Sequence, residues 1–312
     1  MARALVVGES LVDVVRSADG TVAEHPGGSP LNVAYGLGRL GHGVSLLTRL
    51  GDDEHGRLLT GHLAAGAVAL APGAVDELPT SVARAQLDEQ GRASYDFELQ
   101  WRLPAAGADE LLGGGVDGGV DVVHTGSIGA AVAPGAQQVL ELLRSARSRA
   151  TTSYDPNVRP AFLGSPEQAL PLVEAFVESA DVVKASDEDV AWLCPGEDVV
   201  DVARRWQRRG PALVVVTLGG DGAVGVAGAG TLRVPAPPTR VVDTVGAGDA
   251  FTAGLLHALA GHDLLGPAAA RRLRALRLDA LEDVLRTAAR VASLTCSRAG
   301  ANPPTREELA AG

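Results

Sequence analysis

Residues 243–251 read Asp-Thr-Val-Gly-Ala-Gly-Asp-Ala-Phe, and an apolar helical pattern follows them. The small residues Gly246, Ala247 and Gly248 allow consecutive backbone N–H groups to turn towards one point, where the helix also directs the positive end of its dipole. Asp249 lies in the first turn of that helix. Phosphoryl transfer requires such an anion-binding turn with a carboxylate beside it, although an acidic first turn after glycines is also an ordinary helix start.

The composition is that of an acidic globular protein. The 312 residues are 46% hydrophobic and 21% charged, with a formal net charge of −11. An acidic chain binds nucleic acid and anionic membranes poorly, so we expect neither as a partner and expect polyphosphate to be bound locally. Two cysteines, no predicted signal peptide and no apolar run of about 20 residues favour a cytoplasmic location.

Short apolar runs alternate with helical patterns along most of the chain, which predicts a mostly parallel sheet covered on both faces. The sequence predicts strands at 4–8, 44–48, 120–125, 151–155, 181–184, 212–217 and 223–226. It predicts helices at 31–40, 56–65, 136–149, 166–179, 199–209, 249–260 and 281–297. The length allows one large α/β unit or two smaller domains.

Two regions depart from this alternation. Residues 80–87 and 92–99 form alternating runs joined by a polar turn at 88–91, which predicts a β-hairpin. Residues 11–15 and 21–24 read as another short extended pair. Together they predict a small antiparallel sheet that projects as a lid, although an ordinary edge hairpin would give the same pattern.

Several common nucleotide and hydrolase motifs are absent or misplaced. Residues 36–41 match Gly-x-Gly-x-x-Gly, but they end a helical pattern instead of opening a helix after a strand, so a dinucleotide site is disfavoured. The chain contains one lysine, Lys184, and no Gly-Lys-Ser/Thr, which excludes a P-loop. Neither His-Glu-x-x-His nor Gly-x-Ser-x-Gly occurs.

Polar segments follow several predicted strands or open predicted helices. They are Asp13, the run Gly27-Gly28-Ser29-Pro30-Leu31-Asn32, the run Asp155-Pro156-Asn157-Val158-Arg159, and residues 217–222. Each segment alone is more typical of a turn than of a binding site. Because the carboxyl ends of parallel strands meet at one edge of a sheet, the segments together predict a single crevice there.

Two of these stretches resemble the signature regions of the ribokinase-like (PfkB) carbohydrate kinases. They are residues 27–34, Gly-Gly-Ser-Pro-Leu-Asn-Val-Ala, and residues 243–251. Residues 153–159 and 184–189 resemble the bacterial fructokinase and 2-keto-3-deoxygluconate kinase branch. The resemblance spans essentially residues 1–312 and implies one kinase domain, a ribokinase-like three-layer α/β/α sandwich with a mostly parallel central sheet. It also implies a small antiparallel β lid formed by about 11–25 and 80–100.

The resemblance implies roles position by position. It makes Asp249 the base that deprotonates the sugar hydroxyl, and it makes the turn Gly246, Ala247 and Gly248 the anion hole for the transferred phosphoryl group. It places Arg159 between acceptor and phosphates. Sugar contacts would come from Asp13, Gly28, Asn32, Asn157 and Phe97, and ATP contacts from Lys184, Ser186, Thr217, Gly219, Gly222 and Asn302. ATP and Mg²⁺ are the implied cofactors.

The chain departs from the family pattern at both expected metal positions. The family's Asn-x-x-Glu element, which organises Mg²⁺ through water, corresponds to Ser186-Asp187-Glu188-Asp189, so Asp189 would serve with a shorter reach. Relatives bind a monovalent cation with a carboxylate equivalent to Asp243 and a hydroxyl at the position of Pro304. Proline has no side-chain ligand, so dependence on K⁺ stays open.

The acceptor is less closely defined than the reaction. The branch resemblance favours a ketohexose such as fructose, followed by 2-keto-3-deoxygluconate, whose carboxylate Arg159 and Arg102 could meet, and then by ribose. Tyr95, Phe97 and Trp101 would either shape the sugar pocket or pack the core of the lid. A catalytically silent sugar- or nucleotide-binding regulator remains the alternative of another class. A homodimer is a further expectation from the resemblance.

Overall fold

The computed structural model describes residues 1–16, 20–87, 93–104, 112 and 119–311, with the backbone alone at 85–87 and 93–95. The strands are β1 (Arg3–Val7), β2 (Leu11–Arg16), β3 (Val22–Gly27), β4 (Gly43–Leu47), β5 (Leu50–Gly51), β6 (Val68–Leu70), β7 (Val75–Asp76), β8 (Ser81–Leu87), β9 (Ala93–Glu98), β10 (Val122–Gly126), β11 (Thr151–Asp155), β12 (Val182–Ser186), β13 (Leu213–Thr217), β14 (Ala223–Ala227) and β15 (Gly230–Val234).

Helices connect most of these strands. They are α1 (Ser29–Arg39), α2 (Glu54–Ala65), α3 (Gly135–Ala146), α4 (Pro160–Leu163), α5 (Pro166–Ser179), α6 (Asp187–Leu193), α7 (Val199–Arg209), α8 (Ala247–Gly261), α9 (Ala270–Arg274), α10 (Leu278–Cys296) and α11 (Arg306–Ala311). Short 3₁₀ helices cover Ser127–Ala130, Gly219–Asp221 and Pro267–Ala269. In the part of the chain that the structure describes, no helix combines the length and apolarity needed to cross a membrane.

Nine of the described strands form the main sheet, in the order β15-β14-β13-β12-β11-β10-β1-β4-β6. The pairs from β13 to β6 are parallel, whereas β14 and β15 add antiparallel strands at one edge. From β1 the chain adds β4 and β6 towards one edge of the sheet, and from β10 it adds the later strands towards the other edge. The strand order therefore reverses between β1 and β10. Ligands of open α/β sheets bind at the carboxyl ends of strands beside such a reversal.

Alternate residues of the buried strands enter two separate cores. In β1, Ala4 and Val6 pack into one core with residues of α1, α8 and α10, while Leu5 and Val7 pack into the other with residues of α3, α5 and α7. This period of two on a strand buried on both faces produces helix, sheet and helix layers. The expected three-layer α/β/α sandwich is therefore confirmed.

A smaller sheet has the order β3-β2-β8-β9. Its outer pairs, β2–β3 and β8–β9, are antiparallel as expected, whereas β2 and β8, which join the two hairpins, run parallel. The register places His25, Asp13, Ala83 and Phe97 side by side across the sheet. The predicted turn at 88–91 lies outside the described residues.

All seven predicted main-sheet strands and all seven predicted helices are present, with ends shifted by at most three residues. The glycines at 36 and 38 lie inside α1, where a Cβ at Gly36 would meet the Cβ of Ala253 at 2.9 Å. Small residues therefore let α1 and α8 approach closely, and this contact brings the two signature regions together.

Candidate active site

The first turn of α8 brings Asp249 against α1. Ser29 Oγ donates a hydrogen bond of 2.6 Å to Asp249 Oδ1, and Asn32 Nδ2 donates one of 2.8 Å to Oδ2. The carboxylate is buried. Burial raises the pKa of Asp249 above its ordinary value of 3.8, while the Ser29 and Asn32 hydrogen bonds and the charges of Lys184 and Arg159 oppose that rise. The carboxylate is thus held in one orientation by two donors.

The turn before α8 contains a glycine in the left-handed backbone conformation. Gly246 is the N-cap of α8 with φ +73°, and a Cβ there would lie 2.6 Å from the Cβ of Ala301. Asp243 fixes the turn by accepting from the N–H of Val245 at 3.0 Å and from that of Gly300 at 2.8 Å. These bonds hold the pKa of Asp243 below its ordinary value. Residues 246–248 therefore open α8 in a fixed conformation with its amide end available to an anion.

Asn157 and Arg159 lie in the loop after β11. Asn157 has φ +36°, and its N–H donates to Asp155 Oδ1 at 3.2 Å. Arg159 is exposed, and its Nη1 donates to Asn157 Oδ1 at 2.8 Å. The charge of Arg159 acts on the buried carboxyls of Glu9 and Asp249 and on the half-buried carboxyl of Asp13. The exposed guanidinium is therefore placed near the carboxyl ends of the central strands.

Asp13 and Gly28 lie where the small sheet meets the main body. Gly28 has φ +103°, and a Cβ there would lie 2.7 Å from the carbonyl oxygen of Glu9, so only glycine fits this crossing. Burial raises the pKa of Asp13, while His25 and Arg159 oppose that rise. A Cβ at Gly27 would lie 2.2 Å from Asp13 Oδ2, so the two glycines let the backbone pass beside this carboxylate.

The three aromatic residues considered for the sugar pocket have different surroundings. Phe97 packs edge-on against Phe162 of α4, with ring centroids 4.9 Å apart, beside the residue run that contains Arg159. Trp101 is buried in the main body, and its Nε1 donates to the carbonyl of Gly129 at 2.9 Å. The side chain of Tyr95 lies outside the described residues. Of the three, only Phe97 is observed between the small sheet and the loop after β11.

The residues expected to bind nucleotide lie along the next strands. Ser186 and Thr217 are paired in register at the carboxyl ends of β12 and β13. Gly219 and Gly222 shape the 3₁₀ turn that follows, where a Cβ at Gly222 would lie 2.0 Å from the carbonyl oxygen of Val234. Asn302 is exposed and follows Ala301, which contacts Gly246. The structure therefore brings these positions to the same edge of the sheet as Asp249.

Lys184 has a different environment from the other expected ATP contacts. Its side chain is 5% exposed, and Nζ donates to Asp155 Oδ2 at 2.9 Å. A Cβ on Gly248 would lie 3.1 Å from this Nζ, so the ammonium lies directly behind the first turn of α8. Burial would lower the pKa of Lys184, but the carboxylates of Asp155 and Asp189 raise it, so the ammonium stays charged.

The two expected metal carboxylates are both engaged by backbone amides. Asp189 Oδ1 accepts from the N–H of Val158 at 2.7 Å and Oδ2 accepts from the N–H of Ser186 at 2.8 Å, which makes it part of a capping box at α6. Among the described residues, no three His, Cys, Asp or Glu side chains are grouped to hold a metal ion. A single carboxylate of this kind would fit Mg²⁺ only where nucleotide phosphates and water supply the other ligands.

Sequence reasoning missed three residues of this region. Ser29 lies three residues before Asn32 at the start of α1, and its sequence position alone does not indicate its hydrogen bond to Asp249. Glu9 follows β1, is fully buried, and accepts from the N–H of Gly129 at 2.6 Å. Asp155 ends β11 and contacts Lys184 and Thr252. An acidic residue at the carboxyl end of a buried strand, or just beyond it, is the signal that points to the last two.

Comparison with known proteins agrees with this geometry. The model of the pfkB family carbohydrate kinases matches residues 1–308. A fructokinase from Rhizobium leguminosarum bv. trifolii is 34% identical over 276 residues, which cover 84% of this chain and 81% of the relative. A fructokinase-1 from Zea mays is 36% identical over 275 residues, covering 81% of this chain and 82% of the relative.

A solved structure is similar over the whole fold. The fructokinase from Xylella fastidiosa with bound ATP superposes with a TM-score of 0.83 at 25% identity, covering 99% of this chain and 97% of that one. A double mutant of the fructokinase from Vibrio cholerae O395, in a fructose-, ADP- and potassium-bound form, superposes with a TM-score of 0.80 at 25% identity, covering 100% of this chain and 98% of that one. The chain therefore belongs to the pfkB family of carbohydrate kinases.

Proposed function

We propose that this kinase transfers the γ-phosphoryl group of ATP to a hydroxyl of a ketohexose, with fructose as the preferred acceptor. The observation that carries the proposal is the buried Asp249 carboxylate, oriented by Ser29 and Asn32 at the amide end of α8. The fructokinase names of the relatives and the fructose- and ATP-bound forms of similar structures support the choice of substrates.

The proposed reaction begins with proton transfer to Asp249. The carboxylate takes the proton of the sugar hydroxyl, the oxygen attacks the γ-phosphorus, and the bond to the bridging oxygen breaks to release ADP. Charge that develops on the phosphoryl oxygens is stabilised by the amides of Gly246, Ala247 and Gly248 without reorganisation. Arg159 turns from Asn157 to add a cationic contact to the phosphates.

The remaining residues would position the two substrates. Asp13, Gly28, Asn32, Asn157 and Phe97 would contact the sugar, and Ser186, Thr217, Gly219, Gly222 and Asn302 would lie along ATP. Lys184, expected as a further ATP contact, is instead buried against Asp155 behind the first turn of α8. Asn32 would exchange part of its contact with Asp249 for a sugar hydroxyl. Closure of the sheet β3-β2-β8-β9 over the sugar would exclude water and limit ATP hydrolysis.

We further propose Mg²⁺ as the ion bound with the nucleotide, where it neutralises phosphate charge. Asp189 retains free lone pairs for a water of that ion, although two backbone amides already bind it. Asp243 remains the candidate for a monovalent cation, which the Pro304 side chain cannot help to bind. The free thiols of Cys194 and Cys296 support a reducing compartment such as the cytoplasm. A homodimer is the proposed assembly, which light scattering of the purified protein would test.

Release of ADP in a coupled assay tests the reaction and names the acceptor. The panel contains fructose, 2-keto-3-deoxygluconate, ribose and a nucleoside, each with and without Mg²⁺ and K⁺. We expect fructose to give the highest kcat/KM. The keto acid is disfavoured because Arg102 lies 3.4 Å from Asp76 Oδ2 in an ion pair. Absence of acceptor-dependent ADP release with every compound of the panel would favour the silent regulator.

A further inference from the structure

Two ionisable side chains and one hydroxyl lie together behind the first turn of α8. Lys184 Nζ donates to Asp155 Oδ2 at 2.9 Å, and the two side chains are 5% and 0% exposed. Thr252 Oγ1 lies 3.3 Å from Asp155 Oδ2 and 3.2 Å from the carbonyl oxygen of Gly248. The ion pair of β11 and β12 is thus joined through one hydroxyl to the turn that carries Asp249.

The ion pair of Lys184 and Asp155 can approach the turn that carries Asp249 because residue 248 is a glycine. The Cβ position of Gly248 lies 3.1 Å from Lys184 Nζ, so a residue with a side chain here would press on the ammonium. Asp249 is the next residue, and it is buried together with the pair. In so dry a region a full charge acts on its neighbours far more strongly than at the surface.

We propose that Asp155 and Lys184 are positioning residues that set the charge state of Asp249, with Lys184 favouring the ionised carboxylate and Asp155 limiting that effect. The ammonium attracts the Asp249 carboxylate from behind the turn, whereas the Asp155 carboxylate repels it and holds the ammonium in place. The catalytic meaning of this control rests on the proposed role of Asp249 as a base, but the electrostatic coupling does not.

The charged and titratable groups around Asp249 come from four elements. Lys184 on β12 and Arg159 after β11 favour its ionised form. The carboxylates of Asp155 at the end of β11 and Asp189 on α6 favour the charged form of the Lys184 ammonium. His124 on β10 is neutral, because burial and the charge of Lys184 lower its pKa to about 3. Lys184 and Asp155 therefore act on the ionisation of Asp249 in opposite directions. Replacing one or the other should shift the titration of Asp249 in opposite directions, which makes the proposal testable.

The test uses three variants of the full chain and one control. Lys184→Met removes the attraction, Asp155→Asn removes the repulsion, and the double variant replaces the ion pair by a neutral pair of similar volume. Neutral replacement of a buried ion pair is commonly tolerated, so the double variant should fold. Asp181→Asn is the control, because Asp181 is a buried carboxylate hydrogen-bonded to Thr152 at the opposite ends of β11 and β12.

The first readout is the titration of the Asp249 carboxyl carbon by NMR in the ligand-free protein, assigned with Asp249→Asn. We expect the midpoint to rise by about one pH unit in Lys184→Met and to fall by about one in Asp155→Asn. The double variant should lie between them and Asp181→Asn at the wild-type value. Shifts of the two single variants in the same direction, or no shift in either, would overturn the proposal.

The second readout is the acidic limb of kcat/KM for the preferred sugar, which should follow the NMR midpoints in the same order. A wild-type protein without sugar-dependent ADP release would refute the proposed function and leave the NMR test intact. If Lys184→Met does not fold, the comparison of Asp155→Asn with the double variant still tests the proposal. The titration midpoint of Asp249 in Asp155→Asn must then lie below the midpoints in the double variant and in the wild type. An equal or higher midpoint contradicts the coupling.

Discussion

The side-chain amide of Asn32 on α1 donates a hydrogen bond of 2.8 Å to Oδ2 of Asp249 on α8, across 217 residues of sequence. Together with the bond from Ser29, it fixes the orientation of the carboxylate between α1 and α8. In the proposed reaction the negative charge of the carboxylate is then the property that accepts the proton. We expect Asp249→Asn to keep this shape but to lower kcat by roughly 10²–10⁴, the usual loss for a general base. Steady-state kinetics and calorimetric ATP binding measure the two quantities separately.

The matched control is Asp201→Asn, the same chemical change at an exposed position of α7. It should leave kcat and ATP affinity unchanged. Near-normal turnover of Asp249→Asn would remove this residue from the role of base.

Arg159 should affect turnover more than sugar affinity, because its guanidinium meets the phosphates only when their charge develops. We expect Arg159→Ala to lower kcat by up to about 10² with a smaller change in the KM for sugar. The comparison is with Arg208→Ala, an exposed arginine of α7. An unchanged kcat, or a change confined to KM, would assign Arg159 to sugar binding or to the surface.

Ser29 should control the acidic side of the pH profile. Its hydroxyl lowers the pKa of Asp249 against the opposing effect of burial, so Ser29→Ala should raise that pKa and move the acidic limb of kcat/KM upward. We expect roughly a 3–10-fold loss of kcat/KM below the limb and little loss above it. Ser145→Ala, whose hydroxyl bonds the backbone of α3, should leave the profile in place. A uniform loss at all pH values would indicate a steric effect.

Gly246 should be intolerant of even one added carbon. At φ +73° an alanine is strained, and its Cβ would lie 2.6 Å from the Cβ of Ala301, so the amide turn must move. We expect Gly246→Ala to lower kcat by about 10² or more, as for loss of an oxyanion donor, while the protein remains folded. Gly61→Ala, where nothing lies within 4 Å of the added Cβ, should keep full activity. Equal activity of both variants would show that the turn is not the anion site.

Glu9 should make the folded protein less stable as the pH rises. Burial raises its pKa from 4.5 to about 7, against opposing hydrogen bonds from backbone and Ser127, so the folded state keeps a proton that the unfolded state has lost. The contribution of this proton to the free energy of unfolding is complete below pH 4.5. It decreases by about 3 kcal/mol as the pH rises from 4.5 to about 7.

Glu9→Gln keeps an acceptor for Gly129 without this proton. Urea unfolding at pH 5 and pH 8 should therefore show the variant gaining on the wild type at the higher pH. A difference between the two proteins that does not change with pH would exclude titration of Glu9 from stability.

The fold could be predicted because its strands are continuous apolar runs. β11 and β13 were predicted almost to the residue, since each is apolar or small throughout and ends at a polar turn. β6 and β15 were missed, because the first has three residues and the second lies partly exposed at the sheet edge. α6 was missed because its first turn is acidic instead of apolar.

The site could be predicted only in part. Asp249 and its glycines are contiguous in sequence and carry a local signal, whereas Ser29 and Asp155 reveal their partners only through packing across the sheet. Asp189 illustrates the same limit, since its hydrogen bond to the N–H of Val158 spans 31 residues. The spacing of residues 186–189 contains no sign of this contact.

The small sheet is tied to the main body by an unusually short connection. β3 ends at Gly27 and α1 begins at Ser29, so Gly28 alone separates a strand of the sheet from a hydroxyl bonded to Asp249. One residue provides no slack, and its backbone is pressed against Glu9. Any tilt of the sheet would therefore move Ser29, the donor that holds the carboxylate, so in the proposed reaction closure of the sheet over a sugar would also adjust the orientation of Asp249.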